Sequence, residues 1–180
     1  MGRVRILAIS AVAFALAALA LTTTAGASRV AVGCKAEAEV RIAATASYRF
    51  ALRVGMPERM YTPAQARKMH PKQGEVMLRG SMSMGGMAMG GSMRHLEVQI
   101  CAKTANAVIT NANPTIVVVD TTAHGMPMKV PIAVMEGIGK GVADLHYGNN
   151  VTMPAGHRFT ITVTLKGQRA ILHATSPKAT

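Results

Sequence analysis

The feature that most constrains this chain is a period of two. From Ala36 to Val54, residues Ala38, Val40, Ile42, Ala44, Ala46, Tyr48, Phe50, Leu52 and Val54 share one parity, while Glu39, Arg41, Thr45, Ser47, Arg49 and Arg53 share the other. Successive strand side chains point to opposite faces, so this pattern predicts a half-buried strand, bent or broken near residues 43–47. The pattern returns at Leu96, Val98 and Ile100, alternating with His95, Glu97, Gln99 and Cys101, and again at Phe159, Ile161, Val163 and Leu165, alternating with threonines. Residues 76–78, 115–119 and 130–135 are shorter β-like runs, the last with Pro131 marking an edge or bulge. Lys166-Gly167-Gln168 reads as a hairpin turn, with residues 169–174 returning from it. Thr62-Pro63 reads as a helix N-cap followed by proline at the first helical position, which predicts a short helix to Met69, stopped by Pro71. About seven short strands punctuated by Gly, Asn and Pro predict an all-β, immunoglobulin-like antiparallel β-sandwich.

Arg3 and Arg5 precede an apolar run of about 16 residues (6–21), and small residues follow up to Ala27. This is the pattern of a Sec-type signal peptide over residues 1–27, since the run is short for a membrane span. Residues 28–180 then form one exported domain, periplasmic or associated with the cell envelope or exterior. Loss of Arg3 and Arg5 from a chain with 20 Lys+Arg and 8 Asp+Glu leaves 18 bases against those 8 acids. Outside the cytoplasm such an excess suits anionic lipid or envelope polymer. Nucleic acid is not expected: aromatics are 3% and Trp is absent, so there is no stacking platform for single strands. Acids so few and scattered also disfavour a calcium or magnesium cage. Cys34 and Cys101 are expected to form a disulfide in an oxidising compartment, closing a loop of about 67 residues and stabilising by about 4 kcal/mol in the chain-entropy account. Cys101 as a thiolate metal ligand is the alternative. No phosphate-binding loop, nucleophile elbow, HExxH or CxxC motif is present, so the chain is not read as an enzyme.

Methionine is the compositional outlier, 14 residues against three Phe and three Tyr. Met82, Met84, Met87, Met89 and Met93 lie among Gly, Ser and Ala within residues 80–94, expected to be a flexible loop. Thioether is a soft, neutral ligand that selects Cu(I). A plain linker and a methionine-sulfoxide buffer are the other readings of this loop. His95 and Glu97 flank Leu96, so on a strand they share a face, with roughly 6.5–7 Å between their backbones, and can converge on one cation. His146 stands before a Gly-Asn turn in His146-Tyr147-Gly148-Asn149-Asn150. Met135 ends one strand-like run and His173 lies in the last. Each also has an ordinary reading: a solvated strand face, a turn histidine, a core methionine, a half-buried histidine.

Together, His95-Leu96-Glu97-Val98-Gln99-Ile100, Pro131-Ile132-Ala133-Val134-Met135, His146-Tyr147-Gly148-Asn149-Asn150-Val151 and the strand from Phe159 to Leu165 resemble the periplasmic iron-transport-associated family. Its members are immunoglobulin-like binders of copper and iron that work beside an iron permease. The resemblance spans residues 93–174, about half the chain. It implies a copper ion held between histidines and one methionine, with a carboxylate nearby: here His95, Glu97, Met135, His146 and, as the candidate for the last histidine, His173. It also implies a membrane iron permease as partner. Imidazole and thioether make a borderline-soft site suited to copper, and Glu97 adds hardness that helps Cu(II) or Fe(II). The expectation is an exported, non-catalytic transition-metal binder, copper first and iron as alternative cargo, with a homodimer open. Two other readings stay open: a Met-rich copper(I) chaperone using residues 82–93, and a cationic envelope module that binds no metal.

Overall fold

The computed structural model describes residues 41–81 and 92–178. Among them the elements run β1 (Arg41–Ala44), β2 (Tyr48–Gly55), β3 (Met60–Tyr61), α1 (Pro63–Met69), β4 (Glu75–Arg79), β5 (Met93–Ala102), β6 (Thr115–Asp120), β7 (Met128–Lys129), β8 (Ala133–Gly137), a 3-10 turn (Gly141–Asp144), β9 (His146–Thr152), β10 (Arg158–Leu165) and β11 (Gln168–Thr175). They form a sandwich of a seven-stranded sheet, ordered β1-β2-β5-β9-β8-β4-β3, and a four-stranded sheet, ordered β11-β10-β6-β7. The all-β, two-sheet expectation holds. The pairing is antiparallel throughout except at the edge, where β3 runs parallel to β4.

The core lies between the sheets. Phe50 and Leu52 of β2, Leu96, Val98 and Ile100 of β5, and Phe159, Ile161 and Val163 of β10 are all buried there. Each such side chain stabilises by about 1.5–3 kcal/mol on leaving water. Tyr147 of β9 adds a polar tie: its hydroxyl donates to the Ile109 carbonyl at 2.6 Å and accepts from the Ala112 amide at 2.9 Å. Lys166 and Gly167 both take positive φ, 46° and 75°, closing the β10–β11 hairpin with the two-residue turn whose twist matches its strands. Helix α1 has the expected start: Thr62 caps it, with Gln65 completing a capping box.

Four details differ from the sequence reading. His146 does not precede a turn: residues 146–152, Gly148 and both asparagines included, are strand β9, paired with β5. Residues 130–135 are not one strand. The chain leaves the smaller sheet after β7, passes Pro131 and joins the larger sheet at β8, because proline has no N–H for the ladder. The alternation also slips by one at the first turn. Ala43 lies opposite Phe50 and Ile42 opposite Ala51, so odd residues of β1 share the inner face with even residues of β2, and Ile42 is exposed. Met93 belongs to no loop: it opens β5, is buried, and its Sδ accepts from the Thr152 hydroxyl at 3.6 Å. The expected signal peptide, Cys34, and Met82, Met84, Met87 and Met89 lie outside the described residues. Cys101 is fully buried near the end of β5.

Candidate metal centre

The site lies on the outer face of the larger sheet, not in the core. Inner-face residues Leu96 and Val98 are flanked by His95 and Glu97, which therefore point the other way. Register then sets the neighbours. His95 of β5 faces Asn150 of β9, Met135 of β8 faces His146 of β9, and Met77 of β4 faces Met135. Glu75 opens β4 opposite Gly137. Gly148 stands between, where a Cβ would come within 1.7 Å of the Leu96 carbonyl oxygen, so only glycine lets β5 and β9 approach there.

This outer face is covered by residues 56–59, which link β2 to β3 on the far side of β5, β9, β8 and β4. The Asn150 side chain holds the crossover at both backbone polar atoms of Glu58: the Glu58 amide donates to Oδ1 at 3.1 Å, and Nδ2 donates to the Glu58 carbonyl at 2.7 Å. Further on, the Glu75 amide donates to the Arg59 carbonyl at 2.8 Å. Beneath this cover His95 is 0%, His146 2% and Glu75 5% exposed, figures ordinary for valine and rare for these types.

The hydrogen bonds fix both histidine tautomers. His146 Nδ1 lies 2.7 Å from the Asp144 carbonyl, which can only accept, so Nδ1 carries the proton. The 3-10 turn after the Gly-rich residues 137–141 sets that carbonyl in place. His95 Nδ1 lies 2.9 Å from Asn150 Oδ1, an oxygen already identified by its contact with the Glu58 amide, so this Nδ1 also donates. Both Nε2 atoms are then lone-pair acceptors, and they face each other at 3.4 Å. Glu75 Oε2 lies 3.7 Å from His146 Nε2 and has no hydrogen-bond partner among the described residues. Donor atoms of Glu75, His95 and His146 all lie within 4.8 Å of one another. Two buried acceptor nitrogens and a carboxylate oxygen aimed together are repulsive unless a cation, or a proton on the carboxyl, sits among them. Ligands at about 2.05 Å from a tetrahedral ion stand about 3.3 Å apart, close to the separation of the two Nε2 atoms.

Burial governs the protonation of the cluster. It holds His95 down at about 4, with the neighbouring His146 adding to the effect, and holds His146 below the ordinary imidazole range. Both rings are thus neutral near pH 7, the form that ligates metals. Burial, reinforced by the charges of Glu97, Asp144 and Glu58, pushes Glu75 up to about 8. Without a cation this carboxyl keeps its proton at neutral pH.

Of the residues expected from sequence, His95, His146 and Met135 meet here. Met135 is fully buried and lies opposite His146 in the β8–β9 ladder. Glu97 shares the face of His95 but stands at the rim, its Oε1 3.8 Å from Arg53 Nη1, with burial pushing its carboxyl up. His173 does not join them. It lies on β11 of the smaller sheet, exposed, with Nδ1 3.2 Å from the Thr160 hydroxyl, because its parity opposite Leu172 turns it away from the core. Glu75 takes the third position instead. Sequence reasoning passed over it, although it is the one acid between Glu58 and Glu97 and stands at the head of an apolar run.

No family model matches this chain, and no curated protein matches it in sequence. Among solved structures, a DUF4426 family protein from Pseudomonas aeruginosa PAO1, known from a crystal structure at 2.09 Å resolution, is similar with a TM-score of 0.47 and 12% identity, over 79% of this chain and 98% of that one.

Proposed function

We propose that this protein binds one transition-metal ion through His95 Nε2, His146 Nε2 and a carboxylate oxygen of Glu75. The observation that carries the reading is the meeting, in a buried space, of two lone-pair nitrogens and a carboxyl oxygen that has no hydrogen-bond partner among the described residues. Each ligand histidine has its other nitrogen tied to an oxygen, the outer arrangement that fixes ring orientation and raises basicity in metal sites. Two imidazoles and one carboxylate suit copper, iron(II) or zinc, and a thioether from Met135, the ladder neighbour of His146, would favour copper. A site closed over by the 56–59 crossover favours holding and delivering an ion over catalysis, which needs an open coordination position. Taken with the signal-peptide pattern and the family resemblance in the sequence, the reading is an exported copper carrier, with iron as alternative cargo, accessory to a membrane permease.

The test is titration of the full chain with Cu(II), Cu(I), Fe(II) and Zn(II), followed by calorimetry and spectroscopy. His95→Ala, His146→Ala and Glu75→Gln should each weaken the tight site at least tenfold. Binding that survives all three substitutions, or no binding in the wild type, overturns the reading; the latter leaves a cationic envelope module.

A further inference from the structure

We propose that Asn150 is the positioning residue of this centre, and that it makes ion exchange wait on release of the 56–59 crossover. The inference rests on the metal-binding reading above and adds to it the control of that site.

Asn150 is 4% exposed and both polar atoms of its side chain are engaged. Oδ1 accepts from both His95 Nδ1 and the Glu58 amide, while Nδ2 donates to the Glu58 carbonyl. One side chain thus imitates a strand neighbour for the crossover and at the same time holds the back of a ligand ring. Few other main-chain bonds hold the crossover at this end, since Pro57 has no N–H. Its other end is fastened to the site as well, through the Arg59 carbonyl and the Glu75 amide. Lifting residues 56–59 therefore frees the His95 ring and slackens the Glu75 backbone together. Two of the three ligands are coupled to one cover, and Asn150 is the shared joint on the His95 side. An ion cannot reach or leave donors this buried until that joint opens.

Asn150→Asp separates the two duties. Aspartate still accepts from His95 and from the Glu58 amide, but it sets an oxygen against the Glu58 carbonyl. Asn150→Ala loses both. The full chain, loaded with Cu(II), is mixed with excess chelator and release is followed by stopped flow; uptake is followed in the reverse mixing. In Asn150→Asp, uptake should quicken about tenfold, the effect of one lost buried hydrogen bond, while the carboxylate behind His95 raises the ring's basicity and keeps equilibrium affinity at or above that of the wild type. In Asn150→Ala, affinity should fall as well. Nitrogen-15 NMR of the metal-free protein should show the His95 Nδ1–H tautomer in wild type and Asn150→Asp, and a tautomer mixture in Asn150→Ala. Where the alanine variant does not fold, exchange of the Glu58 amide in wild type still reads the joint, and bound ion should slow it at least tenfold.

A wild type that takes up no ion overturns the metal reading and this inference with it. A wild type that binds, with both variants exchanging at its rate or with Glu58 amide exchange indifferent to the ion, overturns this inference alone. Release that quickens only as much as affinity falls also overturns it, because Asn150 then shapes the ligand without governing access.

Discussion

Glu75→Gln separates the two roles the geometry gives this side chain, an ion's ligand and, without the ion, a buried neutral acid. The amide matches the protonated carboxyl in shape but cannot ionise. In the metal-free protein the Glu75 carboxyl titrates at about 8, against an ordinary value of 4.5 in the unfolded chain. Between those values the folded state binds the extra proton, so its stabilising contribution is complete below pH 4.5 and is lost as pH rises through 8. At about 1.4 kcal/mol per pH unit, the loss reaches on the order of 5 kcal/mol, a large part of a small domain's stability. The histidines act in the opposite sense. His95 is held at about 4 against an ordinary 6.5 and His146 is lowered too, so their contribution is present above 6.5 and lost as pH falls through the folded values. The metal-free wild type should therefore be most stable near pH 6.5. Urea denaturation in chelator, at half-unit steps from pH 5 to 9, gives the curve. Glu75→Gln should keep the acid limb and lose most of the alkaline one, leaving the smaller part due to the raised Glu97 carboxyl, and saturating copper should stabilise the wild type far more than the variant above pH 8. An alkaline limb undiminished in Glu75→Gln would falsify the burial argument, and equal stabilisation of both proteins by copper would remove Glu75 from the ligand set.

Three further outcomes follow from the same geometry. Tyr147→Phe leaves the Ile109 carbonyl and the Ala112 amide without their buried partner, and should cost about 2 kcal/mol in urea denaturation while leaving the metal stoichiometry intact. Gly148→Ala drives a methyl into the Leu96 carbonyl and should cost about 3 kcal/mol or more, read as a lowered Tm by circular dichroism; an unchanged Tm would mean β5 and β9 are not packed as described. His173→Ala should change neither metal affinity nor stability by more than about 0.5 kcal/mol, since the ring stands exposed on the other sheet; lost affinity in calorimetry would restore it to the site.

Local order alone determined much of this protein. Alternation at Leu96-Val98-Ile100 and Phe159–Leu165 marks strands whatever surrounds them, because side chains must leave a pleated backbone on alternate faces. Thr62-Pro63 with Gln65 marks a helix start because those atoms satisfy one another within a single turn. The same parity rule sets His95 and Glu97 apart from the core. Tertiary structure decided the rest. Whether an outward histidine is solvated or buried depended on residues 56–59 lying across the sheet, held by Asn150 at 92 residues' separation from Glu58. Which carboxylate faces the imidazoles depended on strand order: β4 lies beyond β8 and β9, so Glu75 meets His146 while Glu97 stands at the rim. His173 was misplaced for the same reason, since parity tells which way a side chain points but not which sheet carries its strand. Period fixes direction because it is a property of neighbouring bonds; proximity between distant residues is a property of how sheets are ordered and covered, and no short stretch of chain contains it.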